Sequence, residues 1–302
     1  MDPTAILPSN TKSARSLLDA MEIPHILYSK TIIMEYNQIQ YILYHHTIYN
    51  AIKELLSNPN IFKHCVFDYM PKYIINNKGE KEKCYSEQYT SKWWSRAQAS
   101  ISEGAKVLSI IFYSDATTCD VLGKTSKHPI YLTLGNIPNW RRNKPDAKAL
   151  LAYLPRIEAS HEKKQEDFAA AKHDLFHHSM EVLIKPLKLD AIEGLDLYTD
   201  NGILWCYLFL SQLLEDLPEH HAITLTFNSA NCKMPCHSCM TPKNQLNDLS
   251  VDHSTVQLRT PELMQHVLQN GLATNYSLHN IKNRFWTLPY VSHFIVSKIL
   301  HL

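Results

Sequence analysis

The chain has only 7 glycines in 302 residues, about a third of ordinary usage. Nucleotide-binding folds built on glycine-rich phosphate loops are therefore not expected. The fragment Gly123-Lys124-Thr125 imitates the end of a P-loop, but Thr118 stands where the first glycine is required. There is no strong charge of one sign either: 30 Lys and Arg against 29 Asp and Glu give a net charge of +1. A global attraction to nucleic acid is excluded, so any DNA-binding surface must be local. Long hydrophobic runs are missing as well. The longest, Ile203–Leu214, is broken by Ser and Gln and is too short to span a bilayer. The start, MDPTAILPSN, has no basic segment ahead of an apolar one, so no signal peptide is read. Seven cysteines, an odd number, suit metal ligation in a reducing compartment better than a disulfide framework. These features point to a soluble intracellular protein with no membrane partner.

The content is otherwise that of a globular chain, 45% hydrophobic and 20% charged, long enough for a sizeable core. Residues 1–40 show no clear periodicity beyond a possible helix at Ala14–Met21, and read as an arm. Ile48, Ile52, Leu55 and Leu56 predict a helix over Thr47–Leu56, stopped by Asn58-Pro59-Asn60. The adjacent Trp93 and Trp94 point about 100° apart in a helix, which suits clamping this segment onto the core better than stacking on bases. From Val107 the pattern changes to three strands in a meander: Val107–Tyr113, Ile130–Leu134 and Ala149–Leu154. A long helix follows, from Glu162 to about Leu183 and ended by Pro186. Strands are then expected at Gly194–Thr199, Cys206–Leu214 and Ile223–Phe227. A right-handed crossover lays the post-helix strand beside the first strand, parallel to it. That order, meander, helix and strand, opens an RNase H-like α/β fold.

Three constellations carry chemistry. Asp115 ends the first strand of the meander, and Asp216 ends the apolar run after the helix. Strands about 4.8 Å apart would let two such carboxylates share divalent cations, as two-metal phosphoryl transfer requires. Asp200 is the rival for the second position, although Asn-Gly after it is a hairpin-turn signal that explains it structurally. Cys232, Cys236 and Cys239 form a Cys-x3-Cys-x2-Cys knuckle that suits a structural zinc site. His237, His253 and Cys206 are candidates for the fourth ligand, and His253 is preferred because its longer loop is free to close the site. Trp140, Arg141, Arg142 and Lys144 form a local basic patch, in which cations could neutralise phosphates and the indole stack on a base. A solvated loop explains that patch equally well. The paired histidines, His45-His46, His177-His178 and His220-His221, read as surface or core side chains.

The wording of several segments adds a resemblance. The stretch Ser114–Pro155, with SDATT after Tyr113, HPIYLTLGNIP, basic residues and then LLAYLP, resembles the Plavaka-type transposases of the fungal Kyakuja–Dileera–Zisupton group. So do AIKELLSNPNIFKHCVFDY and KWWSRAQASISEGAKVLSIIFYSD upstream. Downstream come GLDLYTDNGILWCYLFLSQLLEDLPEHHAITLTF, NSANCKMPCHSCM and NRFWTLPY, so the likeness runs from about Tyr49 to Tyr290. It implies an RNase H-like DDE core (residues 101–228, after an N-terminal helical region 1–100), a zinc-binding insert (229–255) and a final segment (256–302). It also implies Mg²⁺ or Mn²⁺ at the acids, a nuclear location, transposon-end DNA as partner and other copies of the chain in a homo-oligomer. Asp216-Leu217-Pro218 resembles the D-x-P that follows the corresponding strand in related cut-and-paste transposases. The family's third carboxylate lies beyond the FW-LP motif, where SHFIVSKILHL does not resemble the family's continuation. The expectation is a C-terminally truncated chain, inactive in strand transfer. The competing expectation is a catalytically dead DNA-binding or protein-interaction module that keeps the zinc insert.

Overall fold

The structure, a computed structural model, describes residues 10–13, 28–118, 126–157, 165–200, 202–227, 231–248, 250 and 255–288. The expected helix at Ala14–Met21, the imitation P-loop, His253 and the segment after Leu288 lie outside them. In chain order the elements are β1 (Ser29–Tyr36), β2 (Ile39–His45), α1 (Ile48–Ser57), β3 (Lys72–Ile75), β4 (Lys81–Cys84) and α2 (Lys92–Ala99). Then follow β5 (Lys106–Ser114), β6 (Thr117–Thr118), β7 (Ser126–Leu134), β8 (Ala149–Leu154) and α3 (Gln165–Asp190). The last are β9 (Leu195–Thr199), β10 (Gly202–Leu214), α4 (Leu217–Thr224) and α5 (Pro261–Gln269).

The main sheet is mixed and curled, in the order β1-β2-β8-β7-β5-β10-β9, with β6 paired to β7. β5, β7 and β8 form the expected antiparallel meander, and β10 lies beside β5, parallel to it, after the crossover helix α3. Alternation along β5 sorts two cores. Leu108, Ile110 and Phe112 face the large core with α1 and α3, whereas Val107 joins Trp94, Tyr207 and Phe209 on the other face. Trp94 is fully buried and Trp93 packs edge-on against Phe209, so both indoles hold α2 to the sheet.

Three expectations are corrected. Residues 29–40 are not part of an arm: β1 and β2 form a hairpin, and β2 pairs with β8, so the sheet extends into the N-terminal region. Asn37 and Gln38 both have positive φ, 57° and 62°, as a two-residue hairpin turn needs, but Asn-Gln lacks the glycine that announces such a turn. Helix α3 runs through Pro186 to Asp190. Proline removes one helical hydrogen bond, and the burial of Leu183, Ile184 and Leu187 on the sheet outweighs that loss. Finally, Ile223–Phe227 is not a strand. Asp216 caps α4, with its carboxylate accepting from the Glu219 N–H at 3.0 Å, and Pro218 lies in the first turn.

The pairing of β5 with β10 contains a one-residue step. Cys206 to Leu210 lie opposite Lys106 to Ile110, but Gln212 lies opposite Ile111, which leaves Ser211 as the extra residue. The Ser211 hydroxyl donates to the Ile110 carbonyl at 2.9 Å and receives the Ser109 hydroxyl at 2.7 Å. Ser109 also meets the Gln88 carboxamide. Gly135 closes this network. A Cβ there would fall 1.8 Å from Gln88 Oε1 and 2.4 Å from Ser109 Oγ. Asn136 completes it, accepting from Ser109 N and donating to the Val66 and Val107 carbonyls. Gly135→Ala should therefore destabilise the fold by about 1–3 kcal/mol, the usual range for overpacking. Urea denaturation of the two proteins checks this, and an unchanged midpoint would contradict it.

Candidate functional site

The step at Ser211 decides which acid of β10 meets Asp115. Leu214 lies opposite Tyr113. Continued by two residues, that register sets Asp216 against Asp115 and the buried Glu215 against Ser114. Without the extra residue, Glu215 would take the position of Asp216. Both aspartates are exposed at the ends of neighbouring parallel strands. The Tyr113 hydroxyl donates to Asp115 Oδ2 at 3.0 Å. Partial burial, and then the negative charge of Asp115, hold the Asp216 carboxyl above the usual carboxylate range. Asp200 is placed elsewhere. It follows β9 in the turn of the β9–β10 hairpin, where Thr199 pairs with Gly202, at the opposite end of β10 from Asp216.

Residues that the sequence did not single out surround the pair. His128 on β7 hydrogen-bonds Ser114 Oγ at 2.7 Å through Nε2 and comes within 3.9 Å of Glu219 Oε1. Burial, and next Arg156, lower its pKa against the opposing pull of Asp115 and Asp216. Ala116, His128, Pro218 and Glu219 contribute to one wall of a cavity of about 480 Å³, and Arg156 and Lys172 also line it. Behind it, Glu215 Oε1 lies 2.7 Å from His220 Nδ1, with both side chains almost fully buried. Burial, with a smaller push from Asp216, raises the Glu215 carboxyl to about 8, and burial lowers His220 to about 4. At neutral pH the protonated acid therefore donates to a neutral imidazole. His177 is another buried imidazole that spacing alone hid. It hydrogen-bonds the Ala222 carbonyl at 3.0 Å and accepts from Arg284 N, which fastens α3 to α4 and to the Phe285-Trp286 segment.

The cysteine knuckle is only partly gathered. Cys236 and Cys239 are near enough to shift each other's thiols, with Cys236 Sγ accepting from Ser238 N at 3.4 Å and Cys239 Sγ 3.1 Å from Thr241 Oγ1, whereas Cys232 Sγ is directed to the Phe227 carbonyl at 3.8 Å. Among the described residues, no three His, Cys, Asp or Glu side chains come together as a metal-holding group. Cys206, a candidate fourth ligand, sits buried in β10 with its sulfur on the Leu195 carbonyl. His237 meets His220 edge to face, ring centroids 3.9 Å apart. Arg259, missed in the sequence, organises the knuckle: Nε reaches the carbonyls of Cys236 and Cys239, and Nη2 that of Met234.

The basic patch after β7 is also redistributed. Arg141 is 4% exposed, holds Asp146 through two bonds of 2.9 and 2.7 Å, and bonds Asn60. A guanidinium held this way is not available to a phosphate, so Arg141 is withdrawn from the expected DNA contacts. Arg142 is half-buried on the Ile137 carbonyl. Trp140, 59% exposed beside His64, and Lys144 remain at the surface. Because β7 runs antiparallel to β5, they lie at the end of the sheet away from Asp115.

The family model of the Plavaka transposase matches residues 16–302. The chain belongs to the Plavaka transposase family. Membership implies an interaction with DNA. No curated protein matches the chain. Among the described residues, no helix is long and apolar enough to cross a membrane.

The buried Glu215 gives a pH test. A carboxyl raised to about 8 contributes stability that is present below the ordinary carboxylate value and lost as pH rises toward 8. His220, lowered to about 4, acts in the opposite sense, losing stability as pH falls below about 6.5. Other groups, among them several buried imidazoles and Cys239, also titrate between pH 6.5 and 8.5 but do so in both proteins, so the Glu215 contribution is read as a difference. Across that interval wild-type protein should lose roughly 1–2 kcal/mol relative to Glu215→Gln. Parallel Tm-versus-pH curves for the two proteins would contradict this.

Proposed function

We propose that this Plavaka-family chain carries an RNase H-like core (residues 101–228) that binds transposon-end DNA in the nucleus, with Asp115 and Asp216 as the acids that face a divalent cation. The carrying observation is the like-charge pair at the ends of β5 and β10, in which Asp115 helps to raise the Asp216 carboxyl. A cation between them would relieve that repulsion, so the donor set suits Mg²⁺ or Mn²⁺. When bound, such an ion supplies Lewis-acid stabilisation of phosphoryl oxygens. The chain's own residues do the positioning. Tyr113 orients Asp115, and the first turn of α4 fixes Asp216 through the Glu219 amide. The order β8-β7-β5-β10, with only β5 and β10 parallel, supports the RNase H-like reading.

The 302-residue chain is proposed to bind DNA without cutting it. Asp115 and Asp216, the two carboxylates brought together at the strand ends among the described residues, are an incomplete set for a pair of Mg²⁺ ions, which keep strict octahedral geometry and dehydrate reluctantly. Incubation with transposon terminal-repeat duplex and Mg²⁺ or Mn²⁺ tests this. DNA should be shifted but not cleaved, and cleavage products lost in Asp115→Asn would overturn the inactive reading.

The knuckle is proposed to bind one structural zinc through Cys232, Cys236 and Cys239, with His253 as the fourth ligand. The adjacency of Cys236 and Cys239 supports it. Metal analysis of purified protein should give close to one zinc per chain and a sharp fall in Cys236→Ser. Zinc-free wild-type protein with an unchanged Tm would reject the site.

A further inference from the structure

The β3–β4 hairpin stands apart from the main sheet as a two-stranded ribbon. Its register puts Tyr73 opposite Lys83 and Ile75 opposite Lys81, so these four side chains share one face. Lys72, Cys84, Ile74 and Glu82 share the other. Tyr85, two residues beyond Lys83, belongs with the first face: the Lys83 ammonium lies 5.1 Å from its ring centre and 5.0 Å from that of Tyr69. Lys81 lies 4.2 Å over Tyr73. The ribbon thus sorts its charges. One face carries two lysines and aromatic rings and no carboxylate, while Glu82 is on the other face and Glu80 is in the turn, bonded to Asn76.

That face is open. Tyr73 is 50%, Ile75 69% and Tyr85 57% exposed, an unusual concentration of large apolar surface for one short hairpin. Its base is anchored. Asp68 pairs with Lys106 at 2.8 Å, and Met70 N donates to the Tyr89 carbonyl at 2.9 Å, which fixes the entry to β3 at the start of β5.

We propose that the Tyr73–Lys83 face of this ribbon is a duplex-DNA contact, a conclusion that rests on the DNA-binding reading above. A two-stranded ribbon fits the major groove of B-DNA. Lysines on its face neutralise phosphates, and tyrosyl hydroxyls and ring edges add polar and apolar contacts. Charge decides between DNA and a second copy of the chain. A self-complementary interface through this face would bring four lysines into one contact, Lys81 and Lys83 from each copy, with no acid on the face to pair them. A polyanion meets no such obstacle. Position adds to this. The ribbon and Trp140 lie at the same end of the sheet, and the eight steps of β5 from Lys106 to Ser114 put roughly 26 Å between that end and the acid pair. This is about seven or eight base pairs at 3.4 Å each, so the ribbon would grip DNA away from the acids and set its path toward them.

The test compares two substitutions with the same charge change on opposite faces. Lys81→Glu and Lys72→Glu are each titrated, as the full chain, against a labelled 30-base-pair duplex of mixed sequence between 100 and 300 mM KCl. Lys81→Glu should weaken binding at least fivefold and lower the salt slope by about one. Lys72→Glu should stay within twofold of wild type. Equal weakening by both, or by neither, would overturn the ribbon assignment and leave the DNA-binding reading standing. Failure of wild-type protein to bind the duplex would overturn both. A Tyr73→Ser variant, whose exposed position spares the core, should weaken binding with the salt slope unchanged, and wild-type affinity in it would also count against the face.

Discussion

The parallel pairing of β5 with β10, stepped by one residue at Ser211, is the constraint on which the rest of the molecule depends. It closes the crossover through α3, divides the apolar side chains of both strands between two cores, and selects Asp216 over Glu215 as the neighbour of Asp115. The displaced acid is not idle. Turned inward, Glu215 is held protonated against His220, whose ring meets that of His237 in the cysteine knuckle edge to face. One extra residue in a strand thereby makes one carboxylate an exposed ligand candidate and the next a buried structural acid. It also ties the acid end of the sheet to the knuckle.

Much of the shared family wording has a structural cause. In LTLGNIP, Gly135 admits Gln88 and Ser109 to the step, and Asn136 serves three backbone groups around it. The Arg-Arg that follows folds back onto Asp146 and Ile137. A basic word in a sequence shows charge but not its partner, and the partner here is five residues away on the same loop. The lysines of the β3–β4 ribbon, by contrast, lie in a segment that mixes lysine, glutamate and tyrosine, and the strand register alone separates them by face.

The meander, the crossover and the parallel neighbour were legible because apolar runs bounded by polar turns mark strands, and connection rules leave few arrangements. The N-terminal hairpin was not, because its turn residues, Asn37 and Gln38, take positive φ without glycine. Pro186 misled because tertiary burial of Leu183 and Leu187 outweighs a local preference. In the site, Asp115 and Asp216 could be named from their positions at strand ends. Glu215, His128, His177 and Arg259 could not, since their roles are set by partners distant in sequence or by burial, which spacing does not report.

The central claim, that the strand pairing holds Asp115 and Asp216 close enough to repel, is tested most directly by a double-mutant cycle on stability. Asp115→Asn, Asp216→Asn and the double variant are unfolded in urea at pH 7, without divalent ions and at low salt. Asparagine keeps the α4 cap at position 216, so the cap does not obscure the result. Each single variant should be as stable as wild type or more so, and the double variant should gain no more than the better single one, a non-additivity of about 0.5 kcal/mol or more. Strict additivity would show that the two carboxylates do not sense each other and would contradict the site.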